Sequence, residues 1–152
     1  MDKAIVEKIL FEIEQIDFLL REAQPIIVTC KNNVPNFWEK CGISQILHSF
    51  YNGIEKILLL LIKNNEFMYV NADRWHSELF AKAFEMRING TQIFRSELKE
   101  LLSELLKFRH VVRNSYGFDL EWDKMINMVY NLENTWEMAK TDIKECLGRE
   151  NS

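Results

Sequence analysis

At 152 residues, with 47% hydrophobic and 28% charged side chains, the chain has the make-up of one globular domain able to bury a real core, which argues against a disordered chain. Its formal net charge of −4 argues against a protein that coats nucleic acid by bulk charge, and no DNA partner is expected. A local basic cluster can still hold phosphate on an acidic molecule.

The first residues, Met1-Asp2-Lys3-Ala4, run straight into an amphipathic pattern with acids throughout, unlike a signal or transit peptide. Helix one is expected from about Asp2 to Ala23, with Ile5, Ile9, Leu10, Ile13, Ile16 and Leu20 on its apolar stripe and Pro25 closing it. Gln24 to Asn33 has strand-like composition but no evident pairing partner, so it reads as an ordered connection or a helix extension. Helix two is expected from near Asn33, with Pro35 in its first turn, to Lys63, with Gly42 as a possible break. Asn64 to Asp73 reads as a loop and about Ala72 to Met86 as helix three. Asn89-Gly90 is a turn signal. Ser96 is expected to cap helix four, which should end near Gly117. Helix five should run from about Glu121 to Leu147, with Met125, Met128, Val129, Leu132, Trp136 and Ile143 inward. These elements predict a single all-α domain over 1–152: an up-and-down bundle of about four long helices plus one shorter helix.

The three cysteines, Cys30, Cys41 and Cys146, are odd in number and lack C-x-x-C spacing. Neither a disulfide framework nor a zinc site is expected, and a reducing cytoplasm fits. The longest apolar run, Ile57 to Ile62, is too short to span a bilayer, so no membrane association is expected. Phosphate-loop, dinucleotide, zinc-protease and serine-hydrolase signatures are missing, and no histidine lies four residues from another. No cofactor and no metal are expected.

The densest chemistry lies at the end of helix four, in Phe108-Arg109-His110-Val111-Val112-Arg113-Asn114-Ser115-Tyr116-Gly117. At about 100° per residue, Arg109 falls on the stripe of Leu98, Leu101, Leu102 and Leu105. A charge on an apolar face is costly unless it is paired or used. Arg109, Arg113 and Tyr116 would share a face by i, i+4, i+7, with His110 and Asn114 alongside. Arginine suits a phosphodiester because its fork binds two oxygens and keeps its charge. In helix two, His48, Tyr51 and Glu55 share a face bordering the apolar stripe. Glu55 is therefore a natural acceptor for Arg109 or Arg113, either as a structural ion pair or as a support for function. Trp75-His76 opens helix three and reads first as a packing anchor. Cleaving RNA without a metal also needs a group that moves the 2′-hydroxyl proton. Histidine does that near neutral pH and asparagine cannot.

The stretch FRHVVRNSYGFDLEWDKM, preceded by LHSFYNGIEKIL at Leu47 to Leu58 and WHSELF at Trp75 to Phe80, resembles HepT-like proteins of the HEPN superfamily of small helical ribonuclease toxins. The resemblance covers roughly Ser44 to Ile143. It implies a five-helix HEPN-like fold and a homodimer whose two motifs meet across a cleft. It implies metal-independent cleavage of RNA, and a nucleotidyltransferase-type antitoxin that modifies the motif tyrosine with AMP. The family motif Arg-x4-His-x-Tyr reads here as Arg109-x4-Asn114-x-Tyr116. Arg109 matches the motif arginine, and Tyr116 the modifiable tyrosine. Arg109 and Arg113 would hold RNA phosphate, with Glu55 and Tyr51 in support. Asn114 departs from the family histidine, which implies an inactive or weakened enzyme or a proton role passed to His110. A non-catalytic HEPN module that binds RNA, nucleotide or a helical partner is the alternative.

Overall fold

The computed structural model describes residues 1–65, 75–114, 116 and 120–148, with backbone alone at 64 and 65. In these residues the chain is all-α apart from one small hairpin. In chain order come α1 (Lys3–Glu22), α2 (Gln24–Asn32), α3 (Phe37–Asn65), α4 (Trp75–Glu85), β1 (Arg87–Ile88), β2 (Thr91–Gln92), α5 (Leu98–Arg113) and α6 (Trp122–Gly148). No helix among the described residues is long and apolar enough to cross a membrane.

The helix α3 is the axis of the bundle. It is enclosed over most of its surface, with Ile43, Leu47, Phe50, Ile54, Ile57, Leu58, Leu61 and Ile62 buried, as expected of a helix packed by others. Around it pack α1, α2, α4, α5 and α6. The predicted faces of the flanking helices hold at Ile9, Ile13, Ile16 and Leu20, and along α6 from Met125 to Ile143. Leu10 departs, being 40% exposed. Gly53 lets α1 come close, since a Cβ there would lie 2.8 Å from Ile16 Cδ1. On the far side, Trp136 Nε1 (2.7 Å) and Lys140 Nζ (3.0 Å) both donate to Asp17 Oδ1, tying α6 to α1.

Several boundaries differ from the sequence expectation. The segment Gln24–Asn32 is a helix in its own right, and Pro25 occupies its first turn rather than merely closing α1; Pro lacks the amide that a first turn leaves unbonded. Its buried side chains, Ile27 and Cys30, show tertiary packing overriding strand-like composition. Gly42 does not break α3. It is a contact point instead, because a Cβ there would come within 2.9 Å of Ile26 Cδ1 on α2. Ser96 does not cap α5 with its side chain; the N-cap is Glu97, without a side-chain hydrogen bond, and the Ser96 carbonyl accepts from Lys99 N. Asn89 and Gly90, at φ 53° and 81°, form the tight turn of the β1–β2 hairpin, where positive φ favours Asn-Gly. The expected loop at Asn64 to Asp73 lies almost wholly outside the described residues, as do Ala72 to Arg74 of the expected helix three.

Helix α5 ends at Arg113, well short of Gly117. Asn114 is its C-cap. Its side-chain amide donates to the His110 carbonyl (2.9 Å), the acceptor that its own backbone amide would take if the helix continued. The backbone amide turns to Val111 and Val112 instead. Asparagine competes with helical bonding in this way, which suits it to a helix end.

Candidate functional site

The site forms where α3, the start of α4 and the last turns of α5 meet. Glu55 lies inside α3, only 3% exposed. Two cationic or protonatable groups approach it from different helices. His76 Nδ1 lies 2.7 Å from Glu55 Oε2, and Arg109 Nε lies 3.8 Å from Glu55 Oε1. A carboxylate only accepts, so the His76 contact places the proton on Nδ1. Burial pushes the Glu55 carboxyl up. The His76 hydrogen bond and the nearby Arg109 charge oppose that push, and the balance leaves the carboxyl raised.

Arg109 is held loosely. Its side chain is 17% exposed, yet its buried Nε makes no hydrogen bond among the described residues. A buried donor without an acceptor is costly, and a guanidinium beside a carboxylate at 3.8 Å has not closed the usual fork. The arrangement is a cation kept in place but left with unused donor capacity.

Tyr51, one turn before Glu55, is fully enclosed. Burial first, and then the Glu55 charge, raise its phenol far above the ordinary range. It shapes the wall behind Glu55 and stays protonated. His48, a further turn back, is lowered by burial and by Arg109 and Arg113; its Nδ1 is buried without a hydrogen bond among the described residues. The Trp75 and His76 rings lie 3.6 Å apart, centre to centre, so Trp75 fixes the imidazole plane while Glu55 fixes its edge. A cavity of about 450 Å³ opens beside this group. Glu55, Trp75, His76 and Arg109 line it together with Glu12 and Gln15 of α1 and Ser49, Asn52 and Lys56 of α3.

The structure divides the residues anticipated from sequence into two groups. Arg109, Glu55 and Tyr51 converge in the buried group. His110, Arg113, Asn114 and Tyr116 are exposed. Arg109 and Arg113 share α5, one turn apart, but the face extended to Tyr116 does not exist, because the helix stops first; Tyr116 is 81% exposed beyond it. The sequence reading missed His76 as a site residue. Its partner is 21 positions away, and only the fold brings the two together; the signal in the sequence was a histidine beside a tryptophan at a helix start. Among the described residues, no group of three or more His, Cys, Asp or Glu side chains could hold a metal ion, and all three cysteines are free.

The site thus joins a helical bundle, a carboxylate-anchored arginine near one end of a helix, and a cavity that both line. The chain belongs to the HepT-like family, whose model, described as HepT-like protein, matches residues 42–148. That stretch takes in nearly all of α3 and everything after it, while α1 and α2 precede it. No curated protein and no solved structure matches the chain.

Proposed function

We propose that the chain is the toxin-type partner of a toxin–antitoxin pair, an RNA-cleaving HepT-like protein weakened by Asn114 where the family has histidine. The observation that carries this reading is Arg109: a largely buried guanidinium, held 3.8 Å from Glu55 with its Nε unbonded among the described residues, on a residue that lines a cavity. Such a group suits a phosphodiester, because it offers fixed positive charge in a partly desolvated place. Arg113, one turn on and exposed, would extend the phosphate contact. Family resemblance supplies the rest of the reading: a cytoplasmic homodimer with two motifs across a cleft, metal-independent chemistry, and a nucleotidyltransferase antitoxin. Tyr116, 81% exposed, is accessible to such an enzyme. An AMP placed there would put negative charge near Arg113 and compete with RNA.

A second reading, an RNA- or nucleotide-binding module without cleavage, draws on one observation: the Asn114 amide is already engaged with the His110 carbonyl. One assay separates the two. Asn114→His should raise cleavage of a short RNA by roughly 10²–10⁴-fold, the usual worth of general acid–base catalysis, in the presence of chelator, and Arg109→Ala should abolish it. RNA binding that needs Arg109, with no cleavage by either the unaltered protein or Asn114→His, selects the second reading.

A further inference from the structure

We propose that His76, oriented by Glu55, is the proton-transfer group of this site and carries the cleavage that remains with asparagine at 114. The inference rests on the reading of the site as RNA-cleaving. The chain has three histidines, and they differ in placement. His110 is exposed on α5; it neighbours Arg109 in sequence, so it is turned about 100° away around the helix, and it does not line the cavity. His48 is not part of the cavity lining either, and its Nδ1 is buried without a partner among the described residues. His76 lines the cavity beside Arg109 and has its Nδ1 2.7 Å from a buried carboxylate.

That pairing has a chemical consequence. A carboxylate on Nδ1 sets the tautomer with Nε2 as the basic nitrogen and stabilises the imidazolium that forms when Nε2 takes a proton. Glu55 acts on both partners at once: it aligns His76 through Oε2 and holds Arg109 near Oε1. With an RNA phosphate on Arg109, Nε2 of His76 accepts the proton of the ribose 2′-hydroxyl. The 2′-oxygen forms its bond to phosphorus, and the bond from phosphorus to the 5′-oxygen breaks. The departing 5′-oxygen takes a proton from water, the imidazolium returns its own to solvent, and the products are a 2′,3′-cyclic phosphate and a 5′-hydroxyl. Arg109 offsets the charge that builds on the phosphate oxygens.

The test compares the unaltered protein, His76→Gln, His76→Ala, Arg109→Ala and Asn114→His on a short labelled RNA, with binding measured on the same RNA carrying 2′-deoxyribose at the cut site. His76→Gln keeps a donor toward Glu55 but cannot carry a proton. It should bind the deoxy-substituted RNA as the unaltered protein does and lose roughly 10²–10⁴-fold of its cleavage. If His76→Ala folds, added imidazole should restore part of its activity, because the vacated ring space adjoins an open cavity. Imidazole should not rescue Arg109→Ala. Cleavage by His76→Gln at the unaltered rate overturns the proposal, as does cleavage seen only with Asn114→His. In both of those outcomes the RNA-cleaving reading survives. No cleavage by either the unaltered protein or Asn114→His overturns that reading, and this proposal with it.

Discussion

Two arginines, one just before α5 and one in its last turns, are held in opposite ways. Arg95, just before the helix, is 38% exposed and fully engaged. Its Nε and Nη2 donate to the Asp142 carboxylate at 3.1 and 2.7 Å, and its backbone amide donates to Asp142 Oδ2 at 2.9 Å. Arg109, in the last turns, is 17% exposed, sits 3.8 Å from its carboxylate and leaves Nε without a hydrogen bond among the described residues. If stability alone had shaped both, the buried pair would have the better geometry, because burial raises the cost of every unmade bond. The inversion separates two uses of one residue type. Arg95 fastens the entry of α5 to α6, whereas Arg109 is kept available.

The comparison breaks or sharpens on substitution of the two carboxylates. Glu55→Ala removes the acceptor of a largely buried cation and the partner of His76, so it should lower stability by about 3–5 kcal/mol. Glu55→Gln keeps the volume and an acceptor for His76, and its loss should be smaller. The check is the denaturant midpoint at constant slope. A Glu55→Ala protein as stable as the parent would mean that Arg109 finds water instead, and that the pair is not a buried one.

A smaller loss is expected at the other end. Asp142→Ala removes charge-assisted hydrogen bonds to a group that solvent can still reach, so it should cost about 1.5–3 kcal/mol. RNA binding and cleavage should be unaffected, since Asp142 lies away from the cavity. Loss of RNA cleavage in an Asp142→Ala protein that remains folded would erase the distinction between a fastening arginine and an available one.

The helical frame was legible because helical periodicity dominates from Ile5 to Ile143, and the core residues follow from that period. Local chemistry was less legible. QPIIVTCKNN has strand-like composition and reads only as an ordered connection or a helix extension; Ile27 and Cys30 are buried by neighbours that composition does not reveal, and the segment is α2, a helix of its own. The end of α5 was misplaced because glycine was given the stop signal. The helix ends at Arg113, four positions short of Gly117, with Asn114 as its C-cap, and with it goes the shared face with Tyr116. For the site, Arg109 was visible as a charge on an apolar stripe and Glu55 as a carboxylate at the edge of one. His76 was not, because nothing local to Trp75-His76 specifies that its ring meets Glu55 across the bundle. One-dimensional patterns reveal which residues are out of place and leave open which distant group satisfies them.

The smallest effect concerns how far the Arg109 charge is felt inside the bundle. Burial and the charges of Arg109 and Arg113 lower the pKa of His48 below its ordinary value of 6.5. The folded protein therefore binds that proton less readily than the unfolded chain. The stability contribution of a neutral His48 is complete above the unfolded value and declines as pH falls below it, until the folded form also protonates. Removing a nearby cation should raise the imidazole titration midpoint and shrink that acid-side loss. Arg109→Gln should move it upward. Arg113→Gln should move it less, because Arg113 is exposed and screened by solvent and salt. Arg95→Gln should not move it, since the Arg95 charge is matched by Asp142 at the far end of α5. An NMR pH titration of the three imidazoles, with His48 assigned by its own substitution, reads all three outcomes. A His48 midpoint that responds to Arg95 as strongly as to Arg109 would show that the two arginines differ in hydrogen bonding alone, and that the available charge of Arg109 is not focused on this side of the bundle.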